Sequence, residues 1–226
     1  RMSFGEPRVS LSSGLVVISI PLVINNTGLY DLSELNVTVN LADYNGSSMS
    51  TSTTFVRLIR RGSNVETMHN ISMSLDDVIS KAQTYLFNDT FFNASISMRL
   101  KFAHVILFKV SMNNTIPWGA LLYNFSVGQI SYDYYNITHQ KVVIPLSFEN
   151  HSPYFSVDGT MQVETYNDRG DVVASGTSNL DAPSHSKYEG QVELIVDVLK
   201  LTPSGEMRFY FETSMFSFGP VVVPYG

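Results

Sequence analysis

Ile20-Pro21-Leu22-Val23-Ile24-Asn25-Asn26 is met again, 124 residues further on, as Ile144-Pro145-Leu146-Ser147-Phe148-Glu149-Asn150. The same offset carries Tyr30 onto Tyr154 and Gly46 onto Gly170 without a gap, so Asp43-Tyr44-Asn45-Gly46 falls opposite Asn167-Asp168-Arg169-Gly170. Upstream, Ser3-Phe4-Gly5-Glu6 resembles Ser126-Val127-Gly128-Gln129 at an offset of 123. Self-similarity at a fixed offset implies one structural unit built twice. It divides the 226 residues into 1–125 and 126–226, each long enough to bury a core of its own.

Outward from the repeat, the pattern is that of strands. Residues 16–24 read as a core strand. In residues 35–41, Leu35, Val37, Val39 and Leu41 alternate onto one face. The Asn45-Gly46 pair then favours a tight hairpin. Residues 51–59, 93–102 and 104–112 read as further strands. One stretch changes period: Leu75, Val78, Ile79, Ala82 and Leu86 fall at helical spacing. Ser74 is placed to cap this helix, and Asp76 and Asp77 to complement its dipole. The sequence therefore predicts a short helix over 75–85, covering an edge of the first unit. Pro21 and Pro145 lack the N–H a central strand needs, which points to a sheet edge or a bulge. Asn26 and Asn150 follow the last inward residue, where an amide can close a turn onto its own backbone.

Composition narrows the function classes. Charged residues make up 15 %, against roughly 25 % in ordinary soluble domains, and the net charge is −6. Serine (29), threonine (15) and asparagine (16) take their place, a skin that suits an exported protein. Without a basic stripe to neutralise phosphates, nucleic acid is not an expected partner. The absence of cysteine removes disulfides, thiolate metal sites and cysteine nucleophiles. No apolar run approaches the ~20 residues that span a bilayer, so any anchor is expected upstream of Arg1.

The order of a strand ending in Asn, an alternating strand, a hairpin, a strand, a helix and two long strands resembles the LEA-2 type, or water-stress-and-hypersensitive-response, domain. Residues 18–46 carry most of the likeness and 142–170 repeat it. Residues 71–86 and 95–110 look like that family's later elements, as do 191–199 and 206–214 in the second copy. The family's Asn-Pro at the strand end is Asn26-Thr27 and Asn150-His151 here. The resemblance implies an all-β chain of two tandem immunoglobulin-like or fibronectin-III-like sandwiches, without catalytic residues. Tandem versions are similar to membrane-anchored surface proteins of archaea.

Asn-X-Ser/Thr acceptor triplets occur at Asn25, Asn36, Asn45, Asn70, Asn88, Asn93, Asn113, Asn124, Asn136 and Asn150. The composition alone would give about three. Such enrichment implies exposure to an N-glycosylation system outside the cytoplasm.

Motifs for chemistry do not appear. His69, His104, His139, His151 and His185 lie at no metal-ligand spacing, and His104 is expected to pack within a strand. Residues 168–171, Asp-Arg-Gly-Asp, lack the ligand pattern of a calcium loop. No phosphate loop or nucleophile elbow occurs. Trp118, the only tryptophan, is expected to anchor the contact between the two copies, with an exposed recognition patch as the alternative. The sequence thus implies a non-enzymatic surface protein needing no metal or cofactor, anchored upstream of Arg1, with protein or cell-surface partners. Its alternative is a filament or lattice subunit that self-associates by strand addition, with residues 8–13 as the donor strand.

Overall fold

The computed structural model describes residues 1–12, 14–75, 78 and 83–226. Chain contacts divide it into two compact units, Arg1–Val78 with Thr90–Trp118, and Ile79–Asp89 with Gly119–Gly226. Each unit is a β-sandwich of two four-stranded antiparallel sheets.

In the first unit, β1 (Met2–Phe4) and β2 (Arg8–Ser12) lie end to end along one side of β3 (Leu15–Asn25). Along its other side runs β6 (Asn64–Ser74). The second sheet has the order β5 (Ser48–Ile59), β4 (Leu32–Ala42), β7 (Thr90–Phe102), β8 (Ile106–Trp118). The inward residues of β3, Val16, Ile18, Ile20, Leu22 and Ile24, are all buried. So are Leu35, Val37, Val39 and Leu41 on β4. Each such side chain stabilises the fold by about 1.5–3 kcal/mol relative to exposure. A one-residue slip would turn the whole set outward, so this burial fixes the register.

The second unit repeats this plan strand for strand. Here β9 (Tyr123–Val127) and β10 (Ser131–Tyr134) lie along β11 (His139–Asn150), with β14 (Ser186–Asp197) on the other side. The facing sheet runs β13 (Val172–Ala182), β12 (Val157–Asn167), β15 (Gly205–Thr213), β16 (Ser217–Tyr225). Both hairpins after the alternating strand are built alike. Asp43 accepts the N–H of Asn45 at 2.9 Å, and Asn167 accepts that of Arg169 at 3.0 Å. Gly46 and Gly170 supply the left-handed residue, at φ 86° and 82°.

Pro21 and Pro145 turn out to sit in central strands. β1 ends opposite Leu22 and β2 begins opposite Ser19, so Pro21 faces the break between them. Its carbonyl accepts the Gly5 N–H at 2.8 Å on that side, so the missing N–H costs no bond to β6. Pro145 repeats the arrangement with Gly128, again at 2.8 Å. A Cβ on either glycine would lie 3.0 or 3.1 Å from the proline ring, which explains the small residue.

Two other expectations, for His104 and for the helix, change. His104 is not in a strand: Ala103 and His104 form the β7–β8 hairpin turn at φ 51° and 62°, and His104 is exposed. The described helix, α1 (Gln83–Phe87), groups with the second unit, where Phe87 meets Phe218 edge to face. Leu75 and Val78 are buried in the first unit, whereas Asp76, Asp77, Ile79 and Ala82 lie outside the described residues. Residues 8–12 are already paired to β3 within their own sheet, and Ser13 lies outside the described residues. Trp118 packs edge to face on Phe92 inside the first unit, at 5.4 Å between ring centroids.

Candidate functional surface and cavity

The strand pleat decides which acceptor asparagines reach the surface. Asn25, Asn45, Asn70, Asn88, Asn113, Asn124 and Asn136 are exposed, and Asn36 and Asn93 are half-buried. Asn25 closes β3 one residue beyond inward Ile24, and Asn70 follows buried His69 on β6. Asn136 holds the β10–β11 turn: its Oδ1 accepts the backbone N–H of Thr138 and of His139 at 2.9 and 2.8 Å.

Asn150 departs from the set. It is 0 % exposed, and its Nδ2 donates to the carbonyls of Phe155, Ala182 and Pro183 at 2.8, 2.9 and 3.1 Å. Its Oδ1 accepts the Ser152 N–H at 3.0 Å. The reactive amide is consumed by the fold, so Asn150 is a structural residue once the unit has folded. Its counterpart Asn26 is likewise buried, donating to Tyr30 and Ile59 carbonyls at 2.9 and 3.2 Å.

Beside Asn150 lies a cluster that the sequence did not reveal. His151 Nδ1 is 2.9 Å from Asp89 Oδ2, and its Nε2 is 3.0 Å from Glu149 Oε2. Tyr123 stacks on the ring at 4.2 Å. Asp89 Oδ1 also accepts the Ala120 N–H at 2.9 Å, and the His151 N–H donates to Ala120 O at 2.8 Å. The Glu149 bond first, then Asp89, raise the His151 pKa above its ordinary value. Burial pushes the Asp89 carboxyl upward, but the Ala120 and His151 hydrogen bonds outweigh it and leave its pKa lowered. With both ring nitrogens on carboxylates, the surroundings favour the protonated form of this imidazole. Ser152, next in sequence, uses its Oγ to accept the Tyr154 and Phe155 N–H groups. The cluster is a clamp joining residues 89 and 120–123 to the end of β11.

His69 shows the opposite environment. It is fully buried in the first unit between Ser52 Oγ at 2.7 Å and Thr54 Oγ1 at 2.9 Å, and burial lowers its pKa. Among the described residues, no group of three or more His, Asp and Glu side chains could hold a metal ion.

The second unit also contains a cavity of about 320 Å³ between its sheets. Ile144 and Leu194 form part of a buried floor, and Tyr132 and Leu201 an exposed rim. Thr165 also lines it, 6 % exposed, and its Oγ1 has no hydrogen-bond partner among the described residues. The lining carries no charged side chain among the described residues.

No family model matches the chain, and no curated protein matches it. Among solved structures it is similar to a red sea bream transglutaminase, at 11 % identity and a TM-score of 0.35, over 100 % of this chain and 30 % of that one. It is also similar to a glycosyl hydrolase family 2 member from Bacteroides cellulosilyticus, at 8 % identity and a TM-score of 0.39, over 94 % and 27 % of the two chains. A third is the E. coli adhesin CfaE, at 10 % identity and a TM-score of 0.27, over 100 % and 85 %. The chain thus spans under a third of the first two. At these scores the likenesses carry no functional argument.

Proposed function

We propose that this chain is the ectodomain of a non-enzymatic, N-glycosylated surface protein, a tandem of LEA-2-type sandwiches held at a membrane by a segment upstream of Arg1. The observation that carries this reading is the acceptor triplets, about three times as frequent as composition gives. Their exposed members are spread over both units, Asn25, Asn45, Asn70 and Asn113 in the first and Asn88, Asn124 and Asn136 in the second. The low charge and the hydroxyl- and amide-rich composition support the same location. The element order β3 to β6, α1, β7 and β8 is the one the family resemblance leads one to expect. No described helix is long and apolar enough to cross a membrane. The reading is tested by fractionating native cells and treating intact cells with protease. Recovery in the membrane fraction with loss on external proteolysis is the expected result. A protected, cytosolic protein would contradict it.

A second reading, a lattice or filament subunit assembled by strand addition, is favoured by one feature. β8 is a 13-residue edge strand on which Ile106, Phe108, Val110 and Met112 are all exposed. A long apolar edge is a template for another strand. Sedimentation across a concentration series separates the two readings, since only the lattice subunit would associate.

A further inference from the structure

We infer that the second unit binds a small, uncharged, mainly hydrocarbon molecule bearing one hydroxyl or carbonyl group, in the cavity lined by Thr165. Three observations converge. The first is volume: about 320 Å³ reaches the lower end of small-molecule sites, and its lining offers no charged side chain among the described residues.

The second is a comparison between the two copies. Thr165 stands two residues before the hairpin residue Asn167, as Leu41 stands two before Asp43. Both precede the same register shift, between Leu41 and Ala42 and between Thr165 and Tyr166. The first unit places a fully buried leucine here. The second places a buried hydroxyl without a partner among the described residues. Buried polar groups are ordinarily hydrogen-bonded, and an exception calls for an explanation such as a ligand.

The third is the connection after the sixth strand of each copy. In the first unit Leu75 and Val78 follow β6 and are buried. Leu75 N–H donates to Gly14 O at 3.0 Å, and Val198 N–H donates to Thr138 O at the same distance. These residues are therefore equivalent, yet Val198 is only half-buried and Leu199, after it, is 81 % exposed. The connection to β15 thus leaves Leu199 outside and brings only Leu201, Thr202 and Pro203 to the cavity lining, with Leu201 itself partly exposed. A neutral ligand of about ten heavy atoms, at roughly 30 Å³ each, fits the space that results.

The probe is 1-octanol, titrated into the full chain and followed by methyl NMR at Ile144 and Met207, with Ile96 of the first unit as internal control. Saturable shifts at Ile144 and Met207, with Ile96 unmoved, are expected. Thr165→Val keeps the shape but removes the hydroxyl, and should weaken binding about tenfold. Leu201→Trp, at the exposed rim, should abolish the shifts by filling the mouth while the spectrum stays folded. No saturable shift in the wild-type chain, or equal affinity in Thr165→Val, would overturn the inference. Shifts produced by phosphatidylcholine vesicles and not by 1-octanol would overturn it too, by making the occupant a bilayer acyl chain.

Discussion

Asn26 and Asn150, 124 residues apart, perform the same task in two copies of one fold. Each accepts the N–H two residues ahead, from Gly28 at 3.2 Å and Ser152 at 3.0 Å. Each also donates across the unit to the end of the fifth strand, at Ile59 O in the first copy and Ala182 O in the second. One amide thus closes a local turn and ties it to a strand more than thirty residues away, 33 in the first copy and 32 in the second.

Removing that amide leaves buried carbonyls unpaired, each costing about 1–3 kcal/mol. Asn150→Ala, which orphans up to three carbonyls, should destabilise the second unit by about 3–4 kcal/mol. Asn26→Ala should cost the first unit about 2–3 kcal/mol. Asn150→Asp should be worse than alanine above pH 5, because a carboxylate would face the same carbonyl oxygens. Urea denaturation measures all three. Trp118, as the only tryptophan, reports the first unit by fluorescence, and amide hydrogen exchange reports the second.

Gly119 lies against the His151 backbone, and a Cβ there would fall on the His151 carbonyl. Gly119→Ala should therefore break the 2.8 Å bond from His151 N to Ala120 O and destabilise the second unit by about 3 kcal/mol or more. Exchange of the His151 amide should speed up in the same variant. Unchanged protection of that amide would show the contact to be dispensable.

The two units should respond to pH in opposite senses. Folding keeps His69 neutral by burial, so protonation of the unfolded ring withdraws stability from the first unit as pH falls below about 6.5. His151 has a raised pKa in the fold. Its contribution is complete below about pH 6.5 and is lost as pH climbs through the folded value. Asp89, with a lowered pKa, withdraws its share only as pH falls below about 4. Between pH 7.5 and 5.5, Trp118 fluorescence should show the first unit weakening while exchange shows the second strengthening. His151→Gln should remove the second slope and leave the first.

Thr165→Val exchanges an unpartnered buried hydroxyl for a methyl group, and without ligand should stabilise the second unit by about 1 kcal/mol. Thermal unfolding of wild type and variant, compared at one pH, checks the sign. A loss of stability would mean that the hydroxyl is satisfied in solution.

What the sequence discloses follows the range of the interactions involved. β3, β4 and the β4–β5 hairpin are legible because alternation and an Asx-Gly turn are local patterns, and the recurrence of these elements shows the unit twice. The role of Pro21 is not, since the break between β1 and β2 that accommodates it exists only once the sheet has formed. His104 reads as the start of a strand because its turn carries neither Gly nor Asn. The acceptor triplet at Asn150 is a three-residue motif, blind to carbonyls 32 residues away. The His151 clamp depends on Asp89, 62 residues distant. The cavity leaves a trace in the sequence only when Leu41 and Thr165 are set in register.

The most direct test of the central claim is site-resolved glycopeptide mapping of the native protein. Glycans are expected on exposed acceptors such as Asn25, Asn70, Asn113 and Asn136, on both units, with Asn150 bare. Unmodified peptides at every acceptor, or a glycan on Asn150 in folded protein, would contradict the account.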